Sequence, residues 1–436
     1  MDNFFFKGGR LIDPASGFDG NADVLVAEGR IAGVGAGVAP GEAEVIDIAG
    51  SVICPGFVDL HVHLREPGRE DEETIRSGSE AAARGGFTAI CSMPNTDPVC
   101  DNPSVVEMII SQANRVGLVE VIPAGSITKG LEGKTLSPIG ELVRAGVRMF
   151  TDDGHGVQDA SVMRRAMEYI RGFDALCAEH CEDARLSEGG QMHEGAVSDA
   201  LGLKGIPAAA EEVALARDLM LAQLTGVRFH ALHVSTAGSV DLIRRAKERG
   251  MRVTAEVTPH HLVLTDAELG SYDPNFKVNP PLRSMQDLQA LRDGLADGTI
   301  DAIATDHAPH SAEEKESEFE LAPPGMLGLE TALAVILTEV VGNGVIDLPA
   351  AIRLLSTSPA AILGLEDHGG PISVGAPANL AVFDPEIAWV VEPAQFASLS
   401  RNSPWIGKTL KGRVLHTAFE GRLVVRGGML VTEVNV

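Results

Sequence analysis

Two histidines one residue apart, His61 and His63, are the sharpest chemical signal in this chain of 436 residues. On a β-strand, residues i and i+2 share a face, so both imidazoles can reach one divalent ion. Taken alone, such a pair reads as readily as two ordinary histidines. Here it has company. Eleven of the 13 histidines fall between positions 61 and 310, and polar residues close several short apolar runs. Pro94-Asn95 follows 87–92, Asp152-Asp153 follows 147–151, His180 follows 175–178, His233 closes 228–233, and Asp306 with His310 follows 300–305. Imidazole nitrogen and carboxylate oxygen are the donor set of a hydrolytic metal centre. A carboxylate such as Asp153 can bridge two ions and keep them close enough to share one water. Asp306 can ligate through one oxygen and take a proton from the metal-held water with the other, which is general-base chemistry. Asp152 reads instead as a cap or turn residue ahead of Asp159. Cys177 and Cys181 flank His180, but no second cysteine pair accompanies them, and Cys177 reads as a packed thiol.

Residues so far apart in sequence need a frame that brings them together. Strand-like runs occur at 52–59, 87–92, 119–125, 147–151, 175–178, 228–233, 252–257 and 300–305. Most lead into a helical pattern, at 103–115, 160–170, 208–224, 240–249 and 288–295. Proline or aspartate opens several of these helices and glycine closes several. Eight strand-then-helix units predict an α/β fold, a (β/α)8 TIM-like barrel, whose chemistry collects at the C-terminal strand ends. The competitor is a doubly wound open sheet; no G-x-G-x-x-G follows a first strand, which weakens it. Short glycine-punctuated strands at 23–27, 29–34 and 44–48 return in kind at 379–383, 413–417 and 420–425. Neither group can bury both faces of its own sheet, so the two read as one small β-domain built from both chain ends. The predicted organisation is 1–54 and 366–436 for the β-domain, and 55–365 for the barrel.

Composition narrows the function. Hydrophobic residues make up 44% and charged ones 22%, the balance of a globular chain with a large core. No apolar run approaches the ~18 residues of a membrane span, and the N-terminus lacks the pattern of a secretory signal. Five scattered cysteines fit reduced thiols, so a cytoplasmic location is expected. With 35 Lys+Arg against 61 Asp+Glu, the formal charge is −26, and no basic stripe is present to bind nucleic acid. That field opposes an anionic substrate at long range. Salt screens it beyond roughly 8 Å, so a local cationic pocket can still prevail.

Together these residues resemble the amidohydrolase superfamily, and within it the dihydroorotase family of the bacterial class I type. The resemblance runs nearly end to end. It is carried by residues 59–68 (Asp-Leu-His-Val-His-Leu-Arg-Glu-Pro-Gly), Met93-Pro94-Asn95-Thr96, 150–154, Glu179-His180-Cys181-Glu182, 277–283 (Lys-Val-Asn-Pro-Pro-Leu-Arg) and 304–310. It implies one metal on His61, His63 and Asp306, a second on His180 and His233, and Asp153 between them. Zinc, one or two ions, is the implied cofactor. Hydantoinases and other dihydroorotases commonly bridge with a carboxylated lysine, for which this chain offers Asp153. The resemblance also implies substrate contacts from His63, Arg65, Asn95, Asn279 and His310, and from Pro324 and Gly325 in a loop where relatives commonly carry an aromatic. A guanidinium suits a carboxylate because its planar fork matches it bidentately. The bland reading of Arg65 is an ion pair with Glu66 or Glu70. Proline removes an N–H, so a contact at Pro324 must come from its carbonyl or from Gly325.

The implied activity is reversible cyclisation of N-carbamoyl-L-aspartate to L-dihydroorotate in pyrimidine biosynthesis. A metal-held hydroxide would be the nucleophile of ring opening, with Asp306 as general acid/base. Two other readings stay open: a hydantoinase- or allantoinase-like cyclic amidohydrolase, and a non-catalytic structural partner of aspartate carbamoyltransferase. Partnership of an active enzyme with that transferase, and a homo-oligomer, are also compatible with the resemblance.

Overall fold

The computed structural model of the chain describes residues 3–431. Eight parallel strands carry the frame: Phe57–Val62, Phe87–Ser92, Glu120–Pro123, Met149–Phe150, Leu176–Glu179, Arg228–Ala231, Val253–Val257 and Ala302–Ile303. They hydrogen-bond as a set of three and a set of five. Parallel bridges from Gly125 to Phe150 and from Val62 to His307 close both gaps. The sheet is therefore a closed (β/α)8 barrel, and the open doubly wound alternative is excluded. Its interior is filled by side chains such as Val58, Leu60, Ala89, Met149, Leu176 and Ala302. Helices cover the outside at Pro103–Val116, Ala160–Arg171, Ala208–Thr225, Ala237–Glu248 and Met285–Ala296. Their ends follow the capping rules. Asn102 accepts hydrogen bonds from the backbone N–H groups of Ser104 and Val105, Pro103 sits in the first turn, and Gly117 ends the same helix in the left-handed region.

The run at 52–59, predicted as one strand, is two. Val52–Pro55 belongs to a nine-stranded sheet of chain-end strands, and Phe57–Val62 opens the barrel. Gly56 is the joint, and a Cβ there would lie 2.3 Å from Thr88 Cγ2. In the end sheet, Val52–Pro55 pairs parallel to Phe4–Asp13 and antiparallel to Leu380–Val390, so it splices the two chain ends. Phe4–Asp13, which the alternation did not reveal, also pairs with Phe18–Ala27 and Glu44–Asp47. Beyond Leu380–Val390 the chain leaves this sheet. Val391, Phe396 and Trp405 pack against Leu264, Phe319 and Leu327 before Thr409–Phe419 rejoins it. The stretch 391–408 thus works as a strap on the barrel, within the segment 366–436 that the sequence predicts for the β-domain. Among the described residues no helix is long and apolar enough to cross a membrane.

The repeated tripeptide Glu-Gly-Arg at 28–30 and 420–422 has a structural cause. Glu28 and Gly29 have φ of 53° and 82°, Glu420 and Gly421 of 49° and 70°. Two consecutive left-handed residues make the tight turn whose twist suits a β-hairpin. The two turns meet: a Cβ on Gly421 would sit 2.3 Å from Gly29 Cα. Gly421→Ala should therefore destabilise the protein by about 3 kcal/mol, from overpacking against main chain plus the left-handed penalty. A urea unfolding midpoint indistinguishable from the parent would refute this account of the contact.

Candidate metal centre and active site

The barrel's first strand aims its histidines by a local irregularity. Val58 and Leu60 point into the barrel core, and the pairing with Phe87–Ser92 then slips between Asp59 and Val62. A bulge supplies one extra residue and reverses the alternation, so His61 and His63 face the interior instead. Asp59 pins this kink. Its carboxylate accepts from the N–H of His61 and of Thr305, each at 3.1 Å, tying the first strand to the eighth. Burial pushes the Asp59 carboxyl up to about 7, against those hydrogen bonds.

All six predicted ligand residues converge at the C-terminal mouth. His63 Nε2 is 3.1 Å from Asp306 Oδ1, and His61 Nε2 is 3.5 Å from the same oxygen. Asp153 divides its carboxylate between two groups. Its Oδ2 lies 3.5 Å from His61 Nε2 and 3.6 Å from His63 Nε2. Its Oδ1 lies 3.4 Å from His233 Nε2 and 3.8 Å from His180 Nδ1. The last two nitrogens are 3.0 Å apart. Burial alone would raise the carboxyls of Asp153 and Asp306, but the neighbouring imidazoles outweigh it and hold both below the usual range. The sequence needed unusual backbone to get here: Arg65, His233 and Asp306 have φ of 60°, 30° and 47°. Non-glycine residues in that region are uncommon and gather at functional sites.

The donor set fits a divalent cation. His61 Nε2 and Asp153 Oδ1 are buried, face the cluster and have no hydrogen-bond partner. Sets of three donor atoms mutually within 4.8 Å occur in His61, His63 and Asp306 and again in His61, Asp153 and His233. Each imidazole of the first pair is oriented from behind. His61 Nδ1 donates to Glu256 Oε1 at 2.9 Å, and His63 Nδ1 donates to Asn95 Oδ1 at 3.0 Å, leaving Nε2 as the lone pair toward the cluster.

A cavity of about 180 Å³ opens beside these atoms, and every predicted substrate-contact residue lines it. Arg65 pairs with neither Glu66 nor Glu70. Its Nε lies 3.1 Å from Glu72 Oε2 and donates to the Pro309 carbonyl at 3.1 Å. Glu66 accepts from Ile75 N, and Glu70 from Gly68 N. The Nε edge of the guanidinium is thus engaged, and on its terminal edge Nη2 lies 3.4 Å from His310 Nε2. His310 is fixed by Glu72 Oε1, 2.9 Å from Nδ1. The Pro324 carbonyl oxygen lies 2.9 Å from His310 Nε2, and the Gly325 N–H donates to the Lys277 carbonyl at 2.8 Å. Asn279 Nδ2 lies 3.4 Å from His180 Nε2.

Two acids went unnoticed in the sequence. Glu72 is 2% exposed and joins Arg65 to His310. Glu256 is wholly buried and is shared by His61 and His230, whose Nε2 is 3.0 Å from Oε2. Burial would raise the Glu256 carboxyl, but those two imidazoles bring it down to about 2. The signal for Glu256 was its place two residues after Thr254 in an apolar strand, which puts both on the inner face. Asp152 is not a cap but a buried brace, accepting from the Thr128 N–H at 2.9 Å; Asp159 caps the helix Ala160–Arg171. Cys177 is fully buried, and burial pushes its thiol well up.

Comparison with known proteins agrees with this geometry. Residues 50–239 match the family described as dihydro-orotase-like, and residues 222–425 match the amidohydrolase family. The dihydroorotase of Pelotomaculum thermopropionicum is 51% identical over 420 residues, covering 96% of this chain and 98% of its own length. That of Syntrophus aciditrophicus is 50% identical with the same coverage. Among solved structures, an L-hydantoinase from Arthrobacter aurescens superposes with a TM-score of 0.88 at 28% identity, over 99% of this chain and 98% of that one. A dihydropyrimidinase from Brevibacillus agri, at 22% identity and a TM-score of 0.84 over 98% and 96%, shares the fold.

The Glu256 contact makes a prediction independent of turnover. Glu256→Gln keeps the shape but cannot accept from both His61 and His230 as an anion. Divalent-metal affinity should fall about 10–100-fold, the usual effect of losing such an orienting group. Competition with a calibrated chelator reads this directly; parental affinity would show that His61 needs no orienting acid.

Proposed function

The chain belongs to the dihydroorotase family of the amidohydrolases, and from that membership we propose that it interconverts L-dihydroorotate and N-carbamoyl-L-aspartate in pyrimidine biosynthesis. The observation that carries this reading is the pairing of a shared-carboxylate histidine cluster with a cationic subsite in one small cavity. Hydantoin and allantoin lack a carboxylate, so a largely buried arginine lining the cavity would have no anion to receive. Among the described residues lining the cavity there is also no lysine to bridge two ions.

His61, His63 and Asp306 are the proposed holders of one divalent ion, His180 and His233 of a second, with Asp153 between them. Zinc suits these nitrogen and oxygen donors. When bound, such an ion polarises a carbonyl and brings the pKa of water toward about 7. The protein's own groups supply the rest. Arg65 receives the substrate carboxylate on its terminal edge, and His310 completes that subsite. Asn95, whose Oδ1 is taken by His63, turns its Nδ2 to the same anion. Asp306, held ionised by its imidazole neighbours, takes the proton of the attacking water and returns it to the departing ring nitrogen. Ring closure retraces these transfers. Asn279, beside His180, borders the ring.

Purified protein should turn over dihydroorotate in clear preference to hydantoin and allantoin, and chelation should abolish the activity. A preference for either other ring overturns the substrate assignment. Elemental analysis should find zinc. Asp306→Ala should remain folded and lose about 10²–10⁴-fold in kcat, the range for a lost general acid/base. Normal turnover would disqualify it as the proton carrier. Arg65→Met should raise KM by roughly 30-fold or more, the cost of a charged bidentate contact, with metal content unaltered. An unmoved KM would take Arg65 out of the site.

A further inference from the structure

The carboxylate subsite is assembled from three chain segments, and a single side chain outside the cavity joins two of them. Asn402 lies on the strap, is 3% exposed and does not line the cavity. Its Nδ2 donates to the Ala308 carbonyl at 2.9 Å and to the Gly325 carbonyl at 3.1 Å, while its Oδ1 accepts from the His310 N–H at 3.2 Å. Its own carbonyl accepts from the Leu327 N–H at 2.9 Å. The amide therefore brackets Pro309, whose carbonyl takes Arg65 Nε, and fixes His310 against the loop at Pro324. The fit is tight at that loop. Gly325 has φ of 145°, and a Cβ there would lie 2.8 Å from His310 Nε2.

We infer that Asn402 is a positioning residue for substrate-carboxylate binding, acting by holding the backbone that carries His310 and cradles Arg65. This rests on the proposed role of Arg65 and His310 toward the substrate. The strap is anchored nearby as well: Ser398 Oγ donates to Glu73, and Ser400 Oγ to the Glu72 carbonyl at 2.7 Å. Asn402 therefore reaches the subsite from a segment that is itself fixed. Its two donated bonds matter more than its volume. An aspartate of the same shape would turn an acceptor toward two carbonyls.

Asn402→Ala and Asn402→Asp separate positioning from packing. In the metal-loaded full chain, both should raise KM for dihydroorotate about tenfold or more, as expected for loss of buried hydrogen bonds. kcat should stay within about threefold, because the reacting atoms are untouched. Metal content should match the parent, and the Kd for orotate, a non-reacting ring carboxylate, should rise in parallel with KM. A parental KM and orotate Kd in the aspartate variant would show that shape suffices and overturn the proposal. So would a fall in kcat or melting temperature with KM unmoved. Failure of the parent protein itself to turn over dihydroorotate would instead remove the substrate assignment, and this inference with it.

Discussion

The structure depends on how Asp153 shares its carboxylate. One oxygen faces His61 and His63, the other His180 and His233. Four imidazoles and two acids are packed where water is scarce, and buried ionisable groups are costly unless paired and hydrogen-bonded. The fold answers with acids and amides behind them: Glu256 behind His61, Asn95 behind His63 and Glu182 near His180, its Oε2 3.6 Å from Nε2. The buried, partnerless His61 Nε2 and Asp153 Oδ1 mark the centre as a place for cations.

Much of this was legible because strands and barrels impose simple rules. Short apolar runs followed by helical patterns pointed to the eight strands, and the residue types at their ends to one mouth shared by distant residues such as His61 and Asp306. What escaped notice had no local signature. The bulge that re-aims His61 is invisible in a string where i and i+2 already look alike. Phe4–Asp13 contains two glycines and three charged residues, which interrupt alternation, yet it sits inside the end sheet because its neighbours come from three directions. Glu72 reads as one acid in a charged surface run, and only the fold turns it under Arg65. The strap 391–408 resembles linker in sequence; its packing on the barrel is a tertiary fact.

The formal charge of −26 and the anionic substrate are reconciled at short range. Arg65 and His310 line one cavity, where partial burial strengthens short-range interactions over the screened global field. Glu72 does not cancel that attraction. It engages the Nε edge of the guanidinium, which under the proposed binding mode leaves the other edge toward the cavity. Asn402 performs a comparable service for the backbone. On the proposed reading, specificity for a ring bearing a carboxylate rests on supporting groups as much as on contacting ones.

The splice between chain ends has a consequence for biosynthesis. Val52–Pro55 leaves the ribosome early, but its antiparallel neighbour Leu380–Val390 is translated only after the whole barrel. Until then the nascent chain carries an open strand edge, the kind that invites pairing with other molecules. Domains that fold late against such edges are vulnerable to misassembly. The anchor at Asn402 is also added near the end of translation, so a truncated product would contain every acid and imidazole of the centre while lacking its last brace.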